Sequence, residues 1–284
     1  MTDLTSAEVV AHSVWEDEPL VSFRATCPSV VQYHLLRHRA FSFSFASMRA
    51  IPTKKIIEQV EANPFIPSAW PKNKSGMSAV ENIDAASVPV AELTWEAALR
   101  DALYNARCLS ETGVHKEIVN RLLAPFAYTT CIISTTMPGL ENFFAQRIHP
   151  DAQPEMQLLA RKMREALEAS TPVEQALHIP FGTPSAPSMR TVKSLYEEEM
   201  IRAISKCARV SYGRELEERS FEEDKGLVVR LARDKHFSPF EHVGFADYAY
   251  WDNDDHSGNF RQPWNQARHH LEEVLPSIAA ELGA

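Results

Sequence analysis

The sequence predicts an α+β fold, on three observations. Four segments, EVVAHSVW, LVSFRATC, AYTTCIIST and VGFADYAYW, are rich in β-branched and aromatic residues and read as extended. Two others, 91–110 and 154–169, repeat apolar residues at helical spacing. No internal repeat, low-complexity tract or apolar run of about 18 residues occurs, so neither an array nor a membrane span is expected. With 284 residues, 44% hydrophobic and 24% charged, the composition is that of a globular chain of one large or two ordinary domains.

In chain order, EVVAHSVW and LVSFRATC flank the acidic turn EDEP and predict a hairpin over 8–27. Pro28 then suits the first turn of a short helix, SVVQYHLLRH. TKKIIEQVEA reads as another short helix, before the proline-broken segment NPFIPSAWPKNKSGMSA. Trp95, Leu99, Ala102, Ala106 and Leu109 fall on one stripe, predicting a long helix over 91–110. HKEIVNRLL continues as helix and AYTTCIIST as a strand; Met156, Leu159, Ala160, Met163 and Leu167 mark the buried face of the helix over 154–169. Residues 170–190 hold four prolines and a glycine and read as a linker or extended surface loop. A helix through about 208, another near 222–234, the strand VGFADYAYW and a helical tail after WNQARHH complete the chain. The expected organisation is 1–170 as one half, 171–190 as a proline-rich connection, and 191–284 as the second half of the same domain.

The 29 basic and 38 acidic residues leave a net charge of −9, which does not suit duplex nucleic acid, whose affinity comes mainly from neutralising phosphates. Any cationic site is therefore local. The opening residues lack a basic flank and an apolar core, so no signal peptide and no membrane association are expected, and the chain reads as cytoplasmic (host cytoplasm if viral). Cys27, Cys108, Cys131 and Cys207 lie far apart, without a CxxC pair, and read as buried reduced thiols.

The densest chemical signal is RHRAFSFSFASMR, residues 37–49. Arg37, His38, Arg39 and Arg49, with Ser42, Ser44 and Ser47, offer charge-assisted hydrogen bonds to phosphate oxygens. The blander alternative is that Arg37 and Arg39 complement a helix C-terminus. A second cluster, KHFSPFEH over 235–242, holds His236, Ser238 and His242, either as satisfied loop residues or as metal ligands. Pro239 breaks any helical register that would align ligands, so no metal is expected. CARVSYG over 207–213 and ENFFAQRIHPDAQPEMQ over 141–157 add Arg209, Ser211, Asn142 and Arg147.

Jointly these four blocks resemble the flavin-dependent thymidylate synthases. Arg37, His38 and Arg39, followed by seven residues and Ser47, match that family's signature. The order differs from familiar members, in which the ARVS and SPFEH blocks come first, so the chain resembles a circularly permuted, phage-type relative. Such a permutation keeps the site if the old termini lie close together. Other departures are His34 for a glutamine, Ser44 and Phe45 for an Asn-Glu pair, Ala50 for a tyrosine and Gln157 for a basic residue.

The resemblance implies a homotetramer with FAD across subunit interfaces. Arg37, His38, Arg39, Ser44, Asn142, Arg147, Ser211 and Ser238 would hold the cofactor. Ser47 and Arg49 would bind the nucleotide, with His34, Arg121 and Gln157 in the same pocket, and His236 near the reacting centre. His236, Arg49 and Ser47 are thus the expected catalytic residues. The implied reaction is conversion of dUMP to dTMP with methylenetetrahydrofolate (a folate) and NADPH. Two alternatives are hydroxymethylation of dUMP or action on dCMP, and a non-catalytic flavin- or nucleotide-binding homologue.

Overall fold

The computed structural model describes residues 3–75, 81–182, 196–246 and 259–283. The chain opens with the expected hairpin, β1 (Ser6–Trp15) and β2 (Glu18–Pro28), paired antiparallel. Its connection is two residues, Glu16 and Asp17, both at positive φ (48° and 66°), the conformation that matches the twist of a tight hairpin. A 3₁₀ turn (Ser29–Val31) and helix α1 (Gln32–Leu35) follow. The helix stops at Leu35, so Arg37, His38 and Arg39 lie in a turn closed by i→i−3 bonds from Arg37 N to His34 O and from His38 N to Leu35 O.

Strand β3 (Ser42–Phe45) pairs with β4 (Tyr128–Thr136), which pairs along its length with β2. Between β3 and β4 lie α2 (Thr53–Ala62), α3 (Val88–Glu111) and the short α4 (Lys116–Val119). Helices α5 (Met137–Arg147) and α6 (Pro154–Glu168) lead to the short strands β5 (Val173–Glu174) and β6 (Leu177–His178). The second half holds α7 (Glu197–Arg209), α8 (Phe221–Arg233), a 3₁₀ turn (Ser238–His242), β7 (Gly244–Ala246), β8 (Trp264–Gln266), α9 (Leu271–Val274) and α10 (Pro276–Leu282). The rest of the predicted strand VGFADYAYW, residues 247–251, lies outside the described residues.

The mixed α+β architecture is built on a five-stranded sheet in the order β3-β4-β2-β1-β5, with a three-stranded sheet β6-β7-β8 beside it. Strand pleating sends alternate residues to opposite faces. Val21, Phe23, Ala25, Cys27, Cys131 and Ile133 pack on one face against Leu140, Phe143, Met156, Leu159 and Met163 of α5 and α6. On the other face Ile132 meets Cys207 and Val210, while Ser44 and Ser134 bond His242 of the second half and Ser13 and Ser22 bond His178 of the connection. Because both faces are covered, β2 and β4 are buried almost throughout. A third cluster joins α2, α3 and α4 through Ile56, Leu99, Leu103 and Val119.

One expectation is corrected. The stretch after 170 is not all surface loop, since residues 175–180 are buried. Their backbone is paired, with Gln175 N donating to Val14 O, Ala176 O accepting from Ala246 N, and β6 bonded to β7. The prolines flag a break in regular structure but say nothing of burial, which Leu177 and Ile179 drive by joining the second half's core. Residues 183–190 lie outside the described residues.

Candidate functional site

Two cavities are lined by the segment 29–49, and α1 contributes residues to both. The first, about 910 Å³, is lined by His34, Arg37, His38, Arg39, Asn142 and Arg147 among others. Its size lies in the range of cofactor pockets. Ser13 and the other sheet serines lie elsewhere; the chemistry here is guanidinium. His38 is buried, and burial followed by the neighbouring Arg147 charge pulls its pKa down to about 4. It is therefore neutral, and its Nε2 accepts a hydrogen bond from Arg147 Nε at 2.8 Å, which puts the ring proton on Nδ1. The ring is wedged edge-on against Phe143 at 4.9 Å. His38 thus serves as the anchor that orients Arg147. Burial and the charge of Arg37 both lower the pKa of Arg147.

Among the described residues, no carboxylate pairs with Arg37, Arg39 or Arg147. Asp151, the one carboxylate among the described lining residues, lies beside His149 at 3.8 Å. Three cations around one opening repel one another unless an anion joins them, so the donor set fits a phosphate or diphosphate. Gly139 belongs to the same wall. A Cβ there would collide with Thr135 Oγ1, whose hydroxyl donates to Ala40 O at 2.8 Å, so glycine lets α5 approach the Arg37–Arg39 turn.

The second cavity, about 510 Å³, is lined by Ser29, Tyr33, Phe45, Ser47, Arg49 and Arg121 among others. Glu117 draws two guanidiniums together, lying 3.1 Å from Arg49 and 3.3 Å from Arg121. The loop carrying Ser47 and Arg49 is held from two sides. Ser47 N donates to Ser211 O at 3.1 Å, and Ser211 Oγ reaches Phe45 O at 3.5 Å. From the other side, buried Asn120 donates to Met48 O at 2.8 Å and Ile51 O at 2.9 Å, and Lys116 Nζ to Ala50 O at 2.7 Å. Sequence reasoning did not single out Asn120 or Lys116. The available signal was an asparagine that follows Ile118 and Val119 on a helical stretch ending in Leu122 and Leu123.

A family model described as thymidylate synthase complementing protein matches residues 8–173, more than half of the chain. The chain belongs to this family.

Among solved structures, it is similar to a UMP/dUMP methylase, PolB, from Streptomyces cacaoi bound with 5-Br dUMP. The identity is 16% and the TM-score 0.48, covering 58% of this chain and 90% of that one. It is also similar to Thymidylate Synthase X (ThyX) from Helicobacter pylori with FAD and dUMP, at 22% identity and a TM-score of 0.35, covering 52% of this chain and 67% of that one. No curated protein matches the sequence.

In this thymidylate synthase complementing family member, the expected site residues divide among several places. Arg37, His38, Arg39, Asn142, Arg147 and also His34 line the first cavity. Ser47, Arg49 and Arg121 line the second. Gln157 lines neither, but donates to Pro150 O and Ala152 O and so shapes the turn walling the first. Ser211 supports the second cavity from behind. His236 and Ser238 are exposed, at the end of α8 and the start of the SPFEH turn.

Ser44 faces away from both cavities, into a buried polar chain that sequence reasoning missed. His242 bonds Ser44 Oγ at 3.0 Å and Ser134 Oγ at 2.8 Å; Ser134 bonds Ser22; Ser22 bonds His178 at 2.7 Å; and His178 bonds Ser13 at 3.0 Å. Burial holds both imidazoles neutral, with pKa values pulled down to about 3. Arg209, of the ARVSY block, is buried as well and donates to Arg214 O and Glu217 O, so it braces a loop. The cysteines are free, and burial pushes Cys27 up to about 12, which leaves it a poor nucleophile.

Proposed function

We propose that this protein is a flavin-dependent enzyme acting on a pyrimidine deoxynucleotide, converting dUMP to dTMP with methylenetetrahydrofolate and NADPH. The observation that carries this reading is the cavity of about 910 Å³ ringed by Arg37, Arg39 and Arg147, whose charges lack carboxylate partners among the described residues. FAD brings a diphosphate of matching charge, and Arg37, Arg39, Arg147, His38 and Asn142 would hold it. The family membership and the FAD and dUMP of the Helicobacter pylori relative point the same way.

When bound, the flavin supplies hydride and mediates transfer of the methylene group from the folate. The chain's own residues bind and orient. Arg49, with Arg121 beside it, would grip the 5′-phosphate, its planar fork matching two phosphate oxygens. Ser47, whose Oγ accepts from Arg49 N at 3.2 Å, has no base bonded to it among the described residues and acts as a binding hydroxyl. His236 lines neither described cavity, and a neighbouring subunit of a homotetramer would bring it to the reacting centre. The outer face of α3 suits such an assembly, exposing Val90, Leu93 and Tyr104 at 66%, 63% and 67%.

A second reading keeps the cofactor and changes the product, to hydroxymethylated dUMP or to a modified dCMP. It is favoured by Phe45, which sits at the wall of the second cavity where the resembling family carries a glutamate, and by Ser44, which is engaged by His242. Purified protein is expected to be yellow and to change its flavin spectrum on adding dUMP. Colourless protein that does not take up FAD rejects both readings, and mass spectrometry of the products from dUMP and dCMP separates them.

A further inference from the structure

We propose that Glu117 is a positioning residue for the phosphate end of the nucleotide, holding the guanidiniums of Arg49 and Arg121 in the second cavity ready for that anion. The inference rests on the functional reading above and adds a residue that acts only through the two arginines, since Glu117 itself does not line the cavity. One oxygen does the holding. Glu117 Oε1 lies 3.1 Å from Arg49 Nε and accepts from Arg121 Nη2 at 3.3 Å. No other carboxylate among the described residues pairs with either arginine. Arg49 meets the oxygen at Nε, and its terminal nitrogens make no hydrogen bond among the described residues, so that fork stays available to two phosphate oxygens. The arginine side chains are 72% and 61% exposed against 30% for Glu117, so a ligand reaches the guanidiniums while their anchor stays recessed.

The segment that carries Glu117 is itself fixed. His115 Nδ1 caps α4 by accepting from Glu117 N at 3.2 Å, and Val119 and Asn120 are fully buried. Lys116 and Asn120 tie the same turn to the carbonyls of Met48, Ala50 and Ile51, on either side of Arg49. Residues 116–121 therefore set the backbone beneath Arg49, the carboxylate that aims it and the second arginine beside it. A free arginine side chain samples many rotamers, and ordering it on binding subtracts from affinity. Glu117 has much of that ordering done beforehand. Against this stands the repulsion between a carboxylate and an incoming phosphate. All three side chains meet solvent, where salt and water screen that repulsion, so orientation outweighs charge.

Calorimetric titration of the full chain with inorganic phosphate and dUMP tests this, using Glu117→Asp and Glu117→Gln. The first keeps the charge but draws the oxygen back by one carbon; the second keeps an oxygen in place and removes the charge. Glu117→Asp is expected to weaken phosphate and dUMP alike, about fivefold. Glu117→Gln is expected to stay within about twofold of wild type for both. Melting temperatures of the two variants are expected to match wild type. Tighter phosphate binding in Glu117→Gln with no loss in Glu117→Asp would make Glu117 a competing charge and overturn the proposal. So would equal losses in the two variants, losses confined to dUMP, or losses that follow melting temperature. Wild-type protein that binds neither phosphate nor dUMP fails the functional reading of the cavity, whereas binding that neither variant alters fails only the role of Glu117.

Discussion

Arg39 carries a full charge into a cavity where no carboxylate among the described residues answers it, beside Arg37 and Arg147. A charge-assisted hydrogen bond to a phosphate is worth roughly 1.5–3 kcal/mol. Arg39→Ala is therefore expected to weaken FAD binding at least about tenfold, read from quenching of flavin fluorescence, with little change in melting temperature because the side chain is exposed. Equal FAD affinity in the variant would remove Arg39 from the cofactor site. His178 and His242 act on stability instead. Both are buried neutral with folded pKa values near 3, while an unfolded histidine titrates near 6.5. Between those values the unfolded chain binds more protons, so each contribution is complete above about pH 6.5 and is lost as pH falls. The loss is up to about 1.4 kcal/mol per pH unit for each histidine. Urea unfolding between pH 7 and 5 is expected to show this slope, and His178→Gln to flatten it by one histidine's share. An unchanged slope would mean that His178 titrates normally.

At the scale of elements, the loop 46–51 has no regular structure of its own, and its geometry comes from neighbours. Asn120 satisfies two of its carbonyls and Ser211 receives the amide of Ser47. Asn120→Ala leaves Met48 O and Ile51 O without that donor, at a cost of about 2 kcal/mol, or a few degrees of melting temperature. It is also expected to weaken dUMP binding, because Arg49 rides on the same loop. Stability loss without any change in nucleotide affinity would dissociate the loop from the site. The helices and strands around this loop were legible because their signals are local: the apolar stripe of α3, the β-branched run of β4 and the hairpin punctuated by Glu16 and Asp17. The end of α1 at Leu35 and the burial of residues 175–180 were not, since both depend on what packs against them.

For the whole molecule, the two halves meet across the central sheet. The polar chain from Ser44 to Ser13 passes through His242 and His178, and Arg24 of β2 pairs with Glu215 at 2.9 Å. We accordingly propose one domain with permuted motif order rather than two tethered units, and expect a single unfolding transition, coincident by fluorescence and circular dichroism. Two separated transitions would show the halves to be independent. The sequence by itself determined the α+β class, most element positions and the cationic blocks, because periodicity, turn chemistry and motif spacing are properties of neighbouring residues. Only the tertiary structure decided which blocks converge. It set Arg147 on His38, Ser211 behind Ser47 and Ser44 against His242, pairs 109, 164 and 198 residues apart, whose meeting depends on sheet order and on which face each strand turns to the core.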